Sequence, residues 1–372
     1  MKKFYLNLII ALFLTINSGF SQEKKFKIHT IGFYNVENLF DTQDDPLIYD
    51  EEYTPSNGWT QKNYEQKIEN LAKVILEIGT DENGMNGPTV LGVCEVENKG
   101  VLEDLIKHPL LRNRNYSIVH YDSPDKRGID VGLLYQSKYF TPVSSSNIPL
   151  YIYKDSEKNG SPLYFKPENG DEATEEDRKA FYEENKRIYT RDQLLVTGYL
   201  EGEEINFIVN HWPSRSGGEK KSSPNREAAG KLNRVIIDSL LQINPKAKII
   251  TMGDLNDDPT NISVKKNVRT KAEKEELVTN DMYNPMEKMF KQGVGTLGYR
   301  DAWNLFDQMI VSEPLVNTNY KEWTYWKAGV HNKPFMLQED GRWKGYPKRN
   351  SNGVPGYSDH FPVYVYLIKQ VN

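Results

Sequence analysis

Short apolar runs rich in β-branched and aromatic residues recur along the chain, and each predicts a β-strand. Nine runs have this character: Lys27–Tyr34, Thr89–Val96, Tyr116–Tyr121, Ile129–Tyr135, Gln193–Leu200, Ile205–Asn210, Lys248–Met252, Asp307–Val311 and Pro362–Ile368. Two other segments repeat apolar residues every three or four positions, which predicts amphipathic helices. The first has Tyr64, Ile68, Leu71, Ala72 and Ile75 before Gly79, and the second has Ala228, Leu232, Val235, Ile236 and Leu240 before Pro245. Strands outnumber helices, which predicts a layered α/β sandwich rather than a doubly wound sheet.

Two stretches interrupt this pattern of strands and helices. Residues 141–190 are rich in charged residues, Tyr and Gly, and residues 260–290 are similarly polar. Segments of this composition between core elements lie on the surface of a domain, so both are predicted to be surface insertions. The acidic run Glu172–Asp177 is predicted to be a solvated helix face.

The amino terminus has the pattern of a secretory signal peptide. Lys2 and Lys3 precede an apolar run over residues 6–16, and the small residues Gly19 and Ser21 follow it. An eleven-residue run is too short for a transmembrane helix, which needs ~20 residues. We therefore expect a signal peptide over residues 1–21, export to the periplasm or the medium, and a mature domain over 22–372 without a transmembrane anchor.

Composition and charge narrow the possible partners. The chain has 372 residues, 38% of them hydrophobic, and a single cysteine, Cys94, so no intramolecular disulfide can form. The formal net charge is −5, and loss of Lys2 and Lys3 with the signal peptide lowers it to −7. An acidic protein is not steered to a polyanion as a whole. Any affinity for nucleic acid must then come from a local basic surface or a bound cation.

Polar residues that could carry chemistry cluster where the predicted strands end. The groups are Asn35 and Glu37, Glu95 and Glu97, Asn210–Trp212, Gly253–Asp257 and Ser358–His360. Functional groups at strand ends lie on the rim of a rigid sheet, where binding sites are commonly built. An Asx turn is the alternative for Gly253–Asp257 alone. A calcium loop is excluded there, since Pro259 and Lys265 stand where that loop needs Gly and Glu.

The residue types in these groups favour hard-metal chemistry. The chain offers no His-Glu-x-x-His or paired-cysteine spacing for zinc, and no serine-hydrolase elbow. The remaining set is rich in oxygen donors: Asn35, Glu95, Asp254, Asn256, Asp307 and Asp359, with His211 and His360. Oxygen ligands without thiols indicate Mg²⁺ or Mn²⁺, with Ca²⁺ as an alternative. Histidine suits the base and acid of phosphodiester hydrolysis, because its pKa lies near neutrality.

The order of these motifs resembles that of deoxyribonuclease-I-like phosphoesterases, the endonuclease/exonuclease/phosphatase superfamily. The resemblance rests on Asn35, Glu95, His211-Trp-Pro, Gly253-Asp-Leu-Asn256, Asp307 and Ser358-Asp-His360, and it extends from about residue 27 to 368. It implies a four-layered α/β-sandwich, in which two packed mixed sheets are flanked by helices and the active site lies at one edge.

The resemblance also implies a role for each matched residue. Glu95 would ligate the metal, with Asn35 and Asp359 nearby. Asp254 would orient or activate the attacking water, and Asn256 would hold a phosphate oxygen. His360, paired with Asp307, would act as base or phosphate clamp, whereas His211 would protonate the leaving oxygen. Relatives differ over which histidine is the acid and over one metal or two, and both questions stay open here.

Three further residues are candidates for the site. Asp130 is the candidate partner of His211. Arg191 matches an arginine that nuclease relatives place against the substrate backbone, and a surface ion pair is its alternative role. Arg349 belongs to a basic loop with Arg342, Lys344 and Lys348, interleaved with Trp343 and Tyr346. Cations mixed with aromatics suit a phosphate backbone with unstacked bases, and an ordinary exposed loop is the alternative.

Three hypotheses about function remain after these assignments. The first is a nuclease, supported by the Arg349 loop and by residues 210–216, which resemble exported bacterial nucleases of the family. The second is a phosphatase or phosphodiesterase for a lipid headgroup or inositol phosphate, for which the aromatic segment Thr318–Trp326 would form an exposed hairpin. The third is an inactive binding module, although no catalytic position is vacant. Nucleic acid is the expected partner, and no obligatory protein partner is inferred.

Overall fold

The computed structural model describes residues 25–84, 87–166, 174–299, 301–351 and 353–371, so the predicted signal peptide lies outside the described residues. The α-helices of this part are α1 (Gln61–Glu77), α2 (Thr80–Asn83), α3 (Lys99–Lys107), α4 (Glu175–Glu184), α5 (Glu219–Ile243) and α6 (Pro285–Lys291), and a π-helix covers Ser263–Arg269. Among the helices described, none has the length and apolar character needed to cross a membrane.

The strands are numbered in chain order. They are β1 (Lys25–Leu39), β2 (Val90–Val96), β3 (Tyr116–His120), β4 (Asp130–Gln136), β5 (Phe140–Ile148), β6 (Ile152–Tyr153), β7 (Arg187–Ile188), β8 (Gln193–Leu200), β9 (Glu203–His211), β10 (Ile249–Asp254), β11 (Thr270–Lys271), β12 (Met282–Tyr283), β13 (Leu297–Tyr299), β14 (Ala302–Asn304), β15 (Asp307–Ser312), β16 (Thr324–Val330) and β17 (Val363–Val371).

Two large mixed sheets form the centre of the fold. The first has the order β16-β17-β1-β2-β4-β3, and the second has the order β11-β12-β15-β10-β9-β8-β5. In each sheet the central strands are a parallel pair, β1 with β2 and β9 with β10. Parallel neighbours need a crossover connection, and α1 and α5 lie in those two connections. The neighbours β17 and β15 run antiparallel to these pairs.

Three apolar clusters show how the layers pack. The largest lies between the sheets and takes Phe33 and Leu133 from one sheet and Phe207 and Met309 from the other. A second cluster packs α1 and α3 on the first sheet, and a third packs α5 and the π-helix on the second. The layers are therefore helices, sheet, sheet and helices, which confirms the predicted four-layered α/β-sandwich.

The sequence pattern located the apolar elements and missed the polar ones. All nine predicted strands and both predicted helices are present, with ends shifted by a few residues. Val235 was placed on the apolar stripe of the second helix, but it is 63% exposed. Strand β5 was not predicted, because its sequence is polar and most of it is exposed or half-buried at the sheet edge. Residues 141–148 therefore belong to a main sheet, and β11 and β12 lie within residues 260–290.

The topology brings the ends of many strands to one edge of the sandwich. The parallel strands β1, β2, β9 and β10 all finish there. Strand β15 starts at the same edge, because Asp254 at the end of β10 pairs with Asp307. Strand β17 also starts there, because Val363 pairs with Phe33 near the end of β1. Polar residues that are distant in sequence thus converge, as at the carboxyl ends of parallel strands in open α/β sheets.

Candidate active site

Asp254 lies at the centre of the convergent polar residues. Its Oδ2 atom accepts a hydrogen bond from Asn35 Nδ2 at 3.1 Å, and it lies 3.7 Å from His211 Nε2 and 3.8 Å from His360 Nε2. The side chain is fully buried. Burial raises the pKa of Asp254 to about 7 against the opposing charge of His360, and the negative charge of Asp307 adds a smaller rise. One carboxylate oxygen therefore faces both histidines.

His360 is held by a carboxylate on its far side. Its Nδ1 atom lies 2.7 Å from Asp307 Oδ2, and both side chains are buried. Burial alone would lower the pKa of His360, but Asp307 and Asp254 outweigh it and raise that pKa well above its usual range. Asp307, His360 and Asp254 thus form a continuous row in which a proton on either imidazole nitrogen meets a carboxylate.

His211 faces the same centre but lacks the partner that was predicted for it. Its Nε2 atom lies 3.7 Å from Glu95 Oε1 and 3.7 Å from Asp254 Oδ2. Its Nδ1 atom is buried and has no hydrogen-bond partner among the described residues. Burial lowers the pKa of His211 well below its usual range, with smaller contributions from Arg191 and Arg127. The imidazole is therefore neutral in this structure.

The predicted pairing of Asp130 with His211 is wrong. Asp130 Oδ2 lies 3.1 Å from Nε2 of His120, and Asp130 Oδ1 accepts the backbone N–H of Ser123. The cause is the register of the first sheet, in which β3 pairs with β4 so that His120 is opposite Gly132. Asp130 begins β4 and therefore meets the neighbouring strand of its own sheet, not the strand β9 that carries His211.

Glu95 and Asn35 lie at bulges where β1 and β2 lose their regular register. Glu95 has φ of 61°, and Glu37 and Asn38 have φ of 52° and 51°. Non-glycine residues in this left-handed region are uncommon and cluster at functional sites. At this bulge Glu95 Oε1 accepts a hydrogen bond from Asn35 Nδ2 at 3.3 Å, and Oε2 accepts one from the backbone N–H of Asn38. Oε1 also lies 3.7 Å from His211 Nε2 of the second sheet.

Asn35 bridges two carboxylates rather than presenting its oxygen to the centre. Its Nδ2 group donates to both Glu95 and Asp254, while its Oδ1 atom accepts the backbone N–H of Glu37. A metal-bound amide would offer its oxygen. In this arrangement Asn35 therefore fixes the spacing of the two carboxylates. Asn35 could be the metal ligand that was predicted only if its amide were turned so that Oδ1 faced the centre.

Asn256 and Arg191 are tied to the backbone that follows His211. Asn256 Nδ2 donates to the carbonyl of Trp212 at 3.0 Å, and its backbone N–H donates to Asp254 Oδ1. Arg191 donates to the same carbonyl at 2.6 Å and to Asp125 at 2.8 Å. Arg191 is only 6% exposed, so the alternative of a surface ion pair is excluded; its ion pair with Asp125 is buried.

Arg349 and Asp359 lie on the rim of the site. Arg349 is exposed, and its guanidinium lies 3.7 Å from Glu37 and 3.4 Å from Asp359. Asp359 is also 3.9 Å from His360 Nε2. The rim therefore presents the exposed guanidinium of Arg349 beside the buried carboxylates and histidines.

A buried ion pair beneath this rim was not anticipated. Lys67 of helix α1 is fully buried, with its ammonium 3.6 Å from Glu37 and 3.2 Å from Asn350 Oδ1. Asn350 in turn donates its backbone N–H to Glu37. Lys67 also donates to the carbonyl of Tyr357, directly before the Ser358–His360 motif. These contacts join helix α1 to the loop that carries Arg349.

The sequence held a signal for Lys67. The position falls between Tyr64 and Ile68 on the apolar stripe of helix α1, where a lysine must find a partner or a route to water. A second missed residue is Arg127, which donates to Asn38 Oδ1 at 2.8 Å. No sequence pattern pointed to Arg127, because an arginine in an exposed turn is ordinary.

We expect Lys67→Met to lower the free energy of unfolding by about 3–5 kcal/mol, because Glu37 then stays buried without its partner charge. Urea denaturation of the wild type and the variant measures this difference. The double variant Lys67→Met/Glu37→Gln should recover much of the loss, since no isolated charge remains in the interior. A loss below about 1 kcal/mol in the single variant would contradict the ion pair, since that is the range of exposed pairs.

The residues present fit a hard divalent cation. Oxygen atoms of Asp254 and Asp307 and a nitrogen of His360 all lie within 4.8 Å of one another. Asp307 Oδ1 is buried and has no hydrogen-bond partner among the described residues. Together with Glu95, the centre gathers three carboxylates, and the positive charge of a protonated His360 offsets only one of them. A buried site tolerates such an excess of negative charge only with a cation or further bound protons.

Comparison with known proteins places this site in a family context. The sequence profile described as "Endonuclease/Exonuclease/phosphatase family" matches residues 30–160 and 158–369. An endonuclease/exonuclease/phosphatase family protein from Bacteroides thetaiotaomicron is similar in structure, with a TM-score of 0.51, 16% identity, and 93% of this chain and 97% of that chain covered. Truncated TDP2 from Caenorhabditis elegans is also similar in structure, with a TM-score of 0.50, 14% identity, and 91% of this chain and 97% of that chain covered. A search of curated protein sequences gave no significant match.

Proposed function

Because the chain belongs to the endonuclease/exonuclease/phosphatase family, we propose that it is an exported nuclease that hydrolyses phosphodiester bonds of DNA or RNA with a divalent cation. The observation that carries this proposal is the position of Asp254 Oδ2, within 3.8 Å of Nε2 of both His211 and His360. Phosphodiester hydrolysis needs a base for water and an acid for the leaving oxygen, and this arrangement brings a buried carboxylate and two imidazoles together for these roles.

The protein groups divide naturally into two sides of the reacting phosphorus. On one side, His360 carries a proton between Asp307 and Asp254, and the carboxylate of Asp254 can accept the proton that the attacking water loses. On the other side, His211 is neutral and would gain its proton as the bound phosphate anion raises its pKa. Bound at Glu95, Asp254 and Asp307, Mg²⁺ or Mn²⁺ would neutralise phosphoryl oxygens. Asn256 would position another oxygen of the reacting phosphate, and Arg349 would contact a phosphate farther along the strand.

His211→Ala should lower turnover by on the order of 10²-fold while the protein stays folded, because the leaving oxygen then departs without a proton donor. Steady-state rates with DNA measure the effect, and circular dichroism checks the fold. His108→Ala, at the end of helix α3 and outside the site, is the matched control and should keep the wild-type rate. A near-normal rate for His211→Ala would remove this residue from the mechanism.

Arg349→Ala should weaken DNA cleavage more than hydrolysis of a small bis-aryl phosphate, because an exposed arginine on the rim reaches only the longer substrate. Values of kcat/KM for the two substrates, compared in one buffer, give the ratio. Arg112→Ala is the control, since Arg112 is also exposed but lies where β3 starts, near the opposite edge of the sheet. Equal losses on both substrates would argue against a substrate-binding role for Arg349.

A lipid phosphodiesterase is the second candidate. The segment predicted to form a membrane-facing hairpin, Thr318–Trp326, does not support it, because the segment leads into strand β16 and its residues Trp323 and Tyr325 are buried. A different hairpin, β13 with β14, does expose Tyr299 and Trp303. An exposed aromatic hairpin is suited to the interface of a membrane.

A panel of substrates separates the candidates. The chain without residues 1–21, supplied with magnesium, is offered plasmid DNA, RNA, sphingomyelin and inositol phosphates under the same conditions. The proposed nuclease should cleave DNA or RNA in preference to the other two. Preferred release of a lipid headgroup or of inorganic phosphate would overturn the nuclease assignment in favour of the second candidate.

A further inference from the structure

We propose that a tyrosine-rich cavity in the segment between β5 and β8 binds unpaired nucleotides of the substrate strand. This inference rests on the nuclease function proposed above and adds to it a second binding subsite, outside the catalytic centre, with a preference for single-stranded nucleic acid.

The cavity has a volume of about 500 Å³ and walls of aromatic rings. Five tyrosines line it: Tyr151, Tyr153, Tyr164, Tyr182 and Tyr189. Three of them are well exposed: Tyr164 at 69%, Tyr182 at 50% and Tyr189 at 47%. Aromatic rings grouped in one exposed hollow leave apolar surface in water, which is typical of a ligand-binding groove rather than of an ordinary surface.

The charged side chains of the cavity are cations. Lys186 and Arg187 belong to its lining, and no acidic residue does so among the described residues. The Arg187 guanidinium lies 4.3 Å from the ring centre of Tyr151 and 5.0 Å from that of Tyr189. Its Nε atom is buried without a hydrogen-bond partner in the described part of the chain. Rings for base stacking combined with cations for phosphates suit a nucleic-acid strand.

The sheet register places this cavity beside the catalytic edge. Strand β5 pairs with β8 so that Ile148 is opposite Gln193, and β8 pairs with β9 so that Leu194 is opposite Val209. The segment between β5 and β8 therefore leaves the sheet next to the end of β9, where His211 lies. Tyr189 is two residues before Arg191, which donates to the carbonyl of Trp212.

A strand bound at the catalytic centre can then continue past His211 into the cavity. Bases that stack on tyrosine rings must be free of their own base pairs, so a duplex cannot fill the cavity in the same way. We therefore expect the protein to bind single strands more tightly than duplexes of the same length, and we expect the tyrosines to cause this difference in affinity.

The test uses the double variant Tyr182→Ala/Tyr189→Ala, since both side chains are half exposed and their loss should leave the fold intact. Binding of a fluorescein-labelled oligothymidylate is followed by fluorescence anisotropy in EDTA, which prevents turnover. Stacking of one base is worth ~1–3 kcal/mol, which is about 5- to 150-fold in Kd, so the Kd should rise at least about fivefold. The Kd for the duplex, and turnover of a bis-aryl phosphate with magnesium, should not change.

The matched control is Tyr199→Ala. Tyr199 is 43% exposed, comparable to Tyr189, but it lies at the opposite end of β8 from the catalytic edge. This variant should bind the oligothymidylate as the wild type does. An unchanged Kd in the double variant, or an equal rise in Tyr199→Ala, would overturn the subsite. So would displacement of the labelled strand by a neutral oligosaccharide but not by unlabelled oligothymidylate.

The binding measurement also separates this inference from the proposed function. A wild-type protein that binds the oligothymidylate through the tyrosines but cleaves neither DNA nor RNA with magnesium would refute the nuclease function and leave the subsite standing. A wild-type protein that cleaves the strand, with a double variant that binds it equally well, would refute the subsite and leave the nuclease function standing.

Discussion

Asp254→Asn should reduce phosphodiester hydrolysis by on the order of 10³-fold, the largest effect that we expect from any single substitution. Asparagine keeps the size of the side chain but removes the charge that faces both His211 and His360. It also removes an acceptor for Asn35, so the spacing to Glu95 is lost as well. Stopped assays with a large excess of enzyme over DNA measure the residual rate.

The control for this prediction is Asp281→Asn. Asp281 is as buried as Asp254 and pairs with Arg269, but it precedes β12, which pairs with the far end of β15. This variant should lose stability and keep the rate per folded molecule. An Asp254→Asn enzyme that retains more than about a tenth of the wild-type rate would show that this carboxylate does not act on the reacting groups.

Removal of divalent cations should abolish turnover, and Mg²⁺ or Mn²⁺ should restore it. The reason is the buried carboxylate cluster, in which burial raises the pKa of Asp254 from 3.8 to about 7 despite the opposing charge of His360. A carboxyl with a raised pKa is favoured in its protonated form by the folded state. The folded protein without a cation therefore loses stability as the pH rises from about 4 to about 7, and a bound cation should offset that loss.

Two measurements check the metal prediction. Activity is followed after dialysis against EDTA and again after addition of each cation, with sodium chloride at equal ionic strength as the control. The Tm should also rise when Mg²⁺ is added to the metal-free protein, by more at pH 8 than at pH 5, because Asp254 is ionised only at the higher pH. Turnover that persists in EDTA would contradict the metal assignment.

Much of the architecture could be predicted because burial leaves a pattern in the sequence. Strands such as β2 and β10 are apolar on both faces, and helices α1 and α5 have one apolar stripe. The hydrophobic pattern therefore predicts where these elements lie. The site residues at strand ends were visible for a related reason. A polar residue that interrupts an apolar run, such as Glu95 or Asp254, has no structural cause within that run.

The partners of those residues could not be predicted in the same way. The pairing of Asp130 with His120 depends on the register between β3 and β4, and register is a property of two strands together. The orientation of the Asn35 amide depends on the backbone N–H of Glu37 across a bulge. Strand β5 lay outside the prediction because an edge strand contacts the core along one side only and carries few apolar residues.

The left-handed residues at the two bulges have a consequence for how this protein tolerates change. Conformations such as those of Glu37, Asn38 and Glu95 cost about 1–3 kcal/mol each, so this end of the sheets is less stable than a regular ladder would be. Glycine would relieve the cost at all three positions and would remove the side chains that reach Arg349, Arg127 and Asn35. Selection for a higher Tm alone would therefore favour substitutions that remove side chains at the catalytic edge. Stabilising substitutions that keep the activity are better sought at the opposite end of the sandwich.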